Sequence, residues 1–259
     1  MKLTTVLWKG MSKSNLKQHR YSSSAVAIWK SAQAVCFDVD STVCSEEGID
    51  VLAAHCGQGQ RVAAWTTKAM NGGVKFEDAL AARLDIIKPS RKDIADCLRV
   101  HPPQLTPGIE SLISGLHARN IHVYFVSGGF RLMIAPIADR LHVPSTNVFA
   151  NTIHFDANGY YAGFDDTEMT SRDSGKPRVL EMYDTSALKL SLHSSQCCRL
   201  KKAHGYKTVV MVGDGVTDMQ AKPPADLFVG FGGVVERDVV KKNADWFVKD
   251  FAELTQALP

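Results

Sequence analysis

The chain is organised around Ala34-Val35-Cys36-Phe37-Asp38-Val39-Asp40-Ser41-Thr42-Val43, an apolar run that ends on two carboxylates separated by a single residue. Such β-branched and aromatic residues read as a buried strand, on which positions i and i+2 point the same way. Asp38 and Asp40 are therefore expected to face one site. Acids held together at the carboxyl end of a strand in an open α/β sheet stand where such sheets bind ligands, and their repulsion calls for a cation beside them. Taken alone, the pair reads equally well as a solvated strand-to-loop corner, because Asp is common in turns.

Further along, Ile121-His122-Val123-Tyr124-Phe125-Val126 reads as a strand ending in Ser127-Gly128-Gly129, with a helix following from about Phe130 to Leu141. Thr208-Val209-Val210-Met211-Val212 reads as another, ending in Gly213-Asp214-Gly215-Val216-Thr217-Asp218. Shorter strands are expected at Val148-Phe149-Ala150, Asp226 to Val229 and Asp245 to Val248, and a β-hairpin over Thr152 to Tyr161 on its Asn158-Gly159 turn. Between the first two long strands the pattern is helical. Ile49, Leu52, Ala53 and Cys56 line one stripe, and Phe76, Leu80, Leu84 and Ile87 another. Ser90 is placed to cap a helix through Ile94 and Leu98, and Ile109, Leu112, Ile113 and Leu116 repeat at helical spacing after Thr106-Pro107. Alternating strands and helices imply an α/β fold with a parallel sheet, helices on both faces and a helical block inserted after the first strand.

In a parallel sheet the carboxyl ends of the strands lie on one edge, so Asp38 and Asp40, the Ser127 loop, and Asp214 and Asp218 converge despite their separation in sequence. Carboxylates gathered there would hold a hard divalent cation through oxygen, most naturally Mg²⁺, which keeps waters and shares phosphate oxygens with a substrate. Ser127 and its two glycines offer a hydroxyl and close backbone N–H groups, as a phosphate cradle does. A metal beside an anion hole points to phosphoryl transfer.

Composition removes several alternatives. A net charge of +3 is nearly balanced, which argues against a nucleic-acid surface. No apolar stretch reaches the length of about 18 residues that a membrane span needs. The 6 cysteines include no C-x-x-C pair, so neither a zinc site nor a disulfide framework is expected. The chain up to Phe37 has no Asp or Glu but carries Lys2, Lys9, Lys13, Lys17, Arg20, Lys30 and the run Ser22-Ser23-Ser24. Residues 1–24 thus have the composition of a transit peptide for a mitochondrion or plastid, and equally that of an ordinary cytoplasmic extension; no apolar core of a secretory signal is present.

The motifs Asp38-Val39-Asp40-Ser41-Thr42, Ser127-Gly128-Gly129-Phe130-Arg131, Lys176 and Gly213-Asp214-Gly215-Val216-Thr217-Asp218 resemble those of the haloacid-dehalogenase superfamily, in the order and spacing of its phosphoserine phosphatase branch. Glu46 to Asp50, Ala69 to Gly72, Phe76 to Arg83, Asn147 to Asn151 and Ala162 to Asp165 extend the similarity, which runs from Ala32 to about Leu254. The resemblance implies a Rossmann-like core, residues 25–45 and 119–259, with a helical cap of residues 46–118. It implies an aspartyl-phosphate on Asp38, with Asp40 as acid and then base and Lys176 balancing charge. One Mg²⁺ per site is expected on Asp38, Asp40 through its backbone carbonyl, and Asp214, with Asp218 in support. The substrate would be O-phospho-L-serine. Its phosphate would meet Ser127, Gly128, Gly129, Lys176, Thr217 and the backbone at Asn71 and Gly72; its ammonium would meet Glu47, its carboxylate Arg83, and Met70 would close over it.

By spacing alone, Lys176, Met70, Arg83 and Glu47 each read more simply as surface or helix-core residues. Two departures from the branch stand out: Asn71, where many relatives carry a small residue, and a long, serine-rich stretch over about 183–198 that lacks helical periodicity. The latter is a tolerated loop or an error in the translated sequence. The expected function is Mg-dependent hydrolysis of O-phospho-L-serine, the last step of serine biosynthesis. The alternatives are a related capped phosphatase for another small phosphomonoester, a phospho-accepting module without turnover, and a catalytically dead scaffold. A homodimer stays open.

Overall fold

The computed structural model describes residues 22–70, 74–180 and 204–259. Helix α1, Ser23–Lys30, precedes strand β1, Ala34–Phe37, and a tight coil over Val39–Val43 follows. Helices α2 (Gly48–His55), α3 (Gly59–Met70), α4 (Phe76–Ile87), α5 (Arg91–Val100) and α6 (Ile109–His117) come before β2, His122–Phe130. Then follow α7 (Arg131–Arg140), β3 (Val148–Asn151), the hairpin β4 (Ile153–Phe155) and β5 (Tyr161–Phe164), and α8 (Gly175–Leu180). The chain ends in β6 (Val209–Gly213), α9 (Val216–Met219), β7 (Leu227–Phe231), α10 (Asp238–Asn243), β8 (Trp246–Val248) and α11 (Phe251–Gln256).

The main sheet has 6 strands in the order β3-β2-β1-β6-β7-β8, every neighbouring pair parallel. Alternation along each strand feeds both faces. Val35 and Phe37 of β1, Val123 and Phe125 of β2, and Val210 and Val212 of β6 pack beneath α1, α6, α7 and α11. Ala34 and Cys36, Tyr124 and Val126, and Val209 and Met211 face the other way, against Val179, Leu180, Ala221 and Val240. Strands apolar on both faces are what a covered parallel sheet requires. A separate core joins α2, α3, α4 and α5 to Phe130 and Met133 at the mouth of the sheet.

The expected hairpin forms, with Gly159 at φ 83 in its turn and β4 antiparallel to β5. Ser90 caps α5 in a full capping box with Asp93, as its position in the sequence suggests. Ser22 to Ser24, which the composition assigns to a leader, instead open α1: the Ser22 hydroxyl accepts from the Ala25 N–H, and Trp29 is fully buried with its indole N–H donated to the Leu254 carbonyl. The rest of that leader and the stretch over 183–198 lie outside the described residues. Among the described residues no helix is long and apolar enough to cross a membrane.

Candidate active site

β1 stops at Phe37, so strand alternation does not set the geometry of Asp38 and Asp40. Asp38 donates its amide to Val212 O at 2.9 Å and turns its Oδ1 onto the Val39 N–H at 2.8 Å. The chain then coils, with Ser41 at φ 54, and this coil rather than the pleat orients both acids. The Asp40 carboxylate reaches the start of α2, where its Oδ1 accepts the Gly48 N–H at 2.8 Å.

Around Asp38 the loops from distant strands meet. Lys176, in the first turn of α8, sets its ammonium 2.9 Å from Asp38 Oδ2 and 2.6 Å from Asp218 Oδ1. Asp218 takes the Gly215 N–H on its other oxygen at 2.9 Å. Asp214 receives the Thr42 hydroxyl on Oδ1 at 3.2 Å, and Arg237 Nη2 lies 2.9 Å from its Oδ2. Carboxylate oxygens of Asp38, Asp214 and Asp218, all buried, lie within 4.8 Å of one another.

Two cations do not neutralise this cluster. Burial and then the charge of Asp38 push Asp218 up to about 8, although Lys176 opposes both. Asp214 is raised by burial and by Asp38, while Arg237 and Lys176 pull it back. Asp40 is pushed to about 8, first by burial and then by Glu47 and Asp38. Burial alone would lower Lys176, but Asp218 and Asp38 outweigh it and hold the ammonium above its ordinary value. Buried oxygen donors with charge left over form a set suited to a hard divalent cation.

β2 runs on to Phe130, and Ser127-Gly128-Gly129 form an irregularity inside it rather than a loop after it. Ser127 is buried, and its hydroxyl oxygen accepts the Gly129 N–H at 3.0 Å. A Cβ on Gly129 would stand 2.7 Å from Asp40 Oδ2, so only glycine lets the two segments approach this closely. Phe76, the first residue of α4, covers Gly128 so nearly that a Cβ there would meet its Cζ at 2.7 Å.

The inserted helices bring Glu47 and Arg83 to the same mouth. Glu47 precedes α2 and accepts the Ser41 hydroxyl on Oε1 at 2.7 Å. Burial raises its carboxyl, the bond from Ser41 opposes this, and Asp38, Asp214 and Asp50 add to it. Arg83 is buried on α4, with Nε donated to Ala79 O at 3.1 Å; burial lowers its guanidinium while Asp50, Glu47 and Asp40 favour its charge. No ion pair ties Arg83 down among the described residues. Thr217 sits half-buried in α9 beside Gly215. Met70 ends α3, and Asn71 and Gly72 lie outside the described residues.

Sequence reasoning passed over Arg237 and gave Asn151 no role. The loop carrying Arg237 follows β7, another parallel strand, so the rule that gathers strand ends on one edge also covers it. Asn151 donates Nδ2 to Gly128 O at 2.8 Å and accepts the Thr170 hydroxyl at 2.8 Å, fixing the irregular part of β2.

Comparison with known proteins places the chain among relatives of similar sequence and fold. Phosphoserine phosphatase of Bos taurus is 50% identical over 231 residues, covering 89% of this chain and 95% of that one. A solved structure described as a phospho-aspartyl intermediate analogue of phosphoserine phosphatase superposes with a TM-score of 0.71 at 26% identity, over 89% of this chain and all (100%) of that one. DsGPDH of Dunaliella salina gives a TM-score of 0.75 at 32% identity over 92% of this chain, which spans only 38% of that longer protein. A profile of haloacid dehalogenase-like hydrolases matches residues 32–222, and with these motifs on this parallel sheet the chain belongs to that hydrolase family.

Proposed function

We propose that the protein is a phosphoserine phosphatase that hydrolyses O-phospho-L-serine to L-serine and phosphate. The observation that carries this reading is the gathering of Asp38, bonded to Lys176, with Asp40 and with a buried Arg83 guanidinium that has no ion pair among the described residues, together with half of all aligned residues shared with the Bos taurus enzyme.

Asp38 attacks phosphorus in line, forming its acyl-phosphate as the bond to the serine oxygen breaks. Asp40 is the acid for that oxygen: held near 8 by burial and neighbouring charge, its carboxyl carries a proton at neutral pH. Having given the proton to serine, the Asp40 carboxylate takes one from the water that attacks the acyl-phosphate, which returns both aspartates to their starting states. Lys176 stays charged and neutralises the Asp38 side throughout. Ser127, the backbone at Gly128 and Gly129, and Thr217 are assigned to the phosphate oxygens, and the resemblance adds Asn71 and Gly72, which lie outside the described residues.

Mg²⁺ is the metal proposed, one per site. Asp38, the Asp40 carbonyl and Asp214 would hold it, and it would supply positive charge against the phosphate oxygens. Asp218 suits a supporting role, since it is fully buried and both its oxygens are engaged by Lys176 and the Gly215 N–H.

Selectivity is assigned to the inserted helices. Arg83 presents a planar fork to the substrate carboxylate, Glu47 faces the ammonium, and Met70 closes the apolar side. The acid-free leader is proposed to direct the chain to an organelle. A panel of small phosphomonoesters tests the assignment. O-phospho-L-serine should be hydrolysed fastest by wild type, and Arg83→Ala should erase that preference while sparing esters that lack a carboxylate. Equal rates across the panel in wild type would refute it.

A further inference from the structure

Helix α4 carries Phe76 and Arg83 into the site, yet its own start is poorly made. Its N-cap residue is Lys75, whose side chain makes no capping bond and whose charge opposes the helix dipole. The missing acceptor comes from far along the chain. The Phe76 N–H donates to Asp173 Oδ1 at 3.3 Å, and the Asp173 N–H donates to Glu77 Oε2 at 3.1 Å. Each segment supplies a carboxylate to the other's amide. This is the logic of a capping box, divided between residues 96 and 97 positions apart. Glu77 is held below the usual carboxylate range, by its own backbone N–H first and that of Asp173 next.

The loop that carries Asp173 is not free to drift. Ser174 lies at φ 56, and a Cβ on Gly175 would stand 2.0 Å from the Met169 carbonyl oxygen, so the backbone is wedged in place just before Lys176. A helix tied to this loop is thereby tied to the residue that pairs with Asp38. The contact is made with the inserted helices seated on the sheet edge, the position in which Phe76 covers Gly128.

We propose that Asp173 and Glu77 form a two-way latch that completes the start of α4 across the molecule and holds the helical layer closed over the Lys176 side of the site. Asp173 is then a positioning residue: it touches no reacting atom and acts through Phe76 and Arg83 of α4. The kinetic half of this inference rests on the proposed phosphoserine activity, whereas the structural half does not.

Amide hydrogen exchange and steady-state kinetics on the full chain test it together. In Asp173→Ala, exchange over residues 76–80 should rise about 3- to 10-fold in the substrate-free protein, the range expected when exposed charge-assisted bonds are lost. The KM for O-phospho-L-serine should rise by a similar factor, with kcat and thermal midpoint nearly unchanged. Asp173→Asn keeps an acceptor for the Phe76 N–H and should restore both values. Glu77→Ala should reproduce the effect, and the double variant should be no worse than the more affected single one, because the bonds share one geometry. Unchanged exchange over 76–80, a rise in exchange with no change in KM, or additive effects of the two substitutions would each overturn the latch. Should wild type fail to hydrolyse O-phospho-L-serine, the functional assignment falls while the exchange measurement still decides whether the two segments are tied.

Discussion

Arg237 holds Asp214 with its guanidinium, Nη2 at 2.9 Å and Nε at 3.1 Å from Oδ2, while the Thr42 hydroxyl takes the other oxygen. Side chains from the loops after β7 and β1 thus fix a carboxylate that follows β6, and the pairing is the main restraint on a proposed metal ligand. Arg237→Ala should leave the fold intact and lower kcat/KM by about 10-fold or more, the usual cost of removing a partner behind a metal ligand. Arg237→Lys should recover part of the loss. Steady-state assays across a Mg²⁺ titration check this, and full activity in Arg237→Ala would remove the residue from the account.

The carboxylate cluster makes the metal-free protein sensitive to alkali. Asp40 and Asp218 are each raised to about 8, so between their ordinary range and 8 the folded state binds more protons than the unfolded state. Stability therefore falls as pH rises through that window. His117, lowered by burial and by His142, works in the opposite sense near its ordinary range but is a single group. Without metal, the thermal midpoint should be lower at pH 8 than at pH 6, and Mg²⁺ should raise it more at pH 8, because its charge favours the ionised form of the carboxyls around it. Differential scanning calorimetry at both pH values, with Mg²⁺ and with chelator, makes the comparison.

Gly129 offers a test of how closely the acid must approach the phosphate cradle. A methyl there meets Asp40 Oδ2 at 2.7 Å and Ser127 Oγ at 3.2 Å, and one of the three must move. Gly129→Ala should keep a native circular dichroism spectrum and lose kcat by about 100-fold, the scale of an ångström-sized misplacement.

Arg83 separates charge from shape. Arg83→Lys keeps the cation but loses the fork, so KM for O-phospho-L-serine should rise by about 10-fold, with a smaller change in kcat. A KM equal to wild type would show that only charge matters at this position.

Much of this was legible in the residues themselves. Apolar strands alternating with helices gave the parallel sheet, and Val35 and Cys36 and their counterparts in β2 and β6 each find a covered face. Strand ends then had to share an edge, which gathers Asp38, Ser127 and Asp214. The local backbone was less accessible. Period-2 reasoning carried β1 through Asp40, whereas the coil at Ser41 aims that carboxylate at Gly48, and nothing in the residue pattern specifies a left-handed serine. Arg237 and Asp173 were missed because each acts through a partner remote in sequence, and an isolated Arg or Asp in a loop carries no periodicity to mark it. Ser22 to Ser24 show the same limit: a serine-rich, acid-free stretch looks like the end of a leader until Ser22 is found capping α1, the helix whose buried Trp29 donates its indole N–H to Leu254.

The central claim is that Asp38 is the group that accepts the phosphate. Free phosphate released from O-phospho-L-serine in the presence of Mg²⁺, by wild type and by Asp38→Asn, tests it most directly, since the amide keeps the size and loses the nucleophile. Wild type should release phosphate steadily and the variant none above the enzyme-free control; release by Asp38→Asn at a rate near wild type would contradict the account.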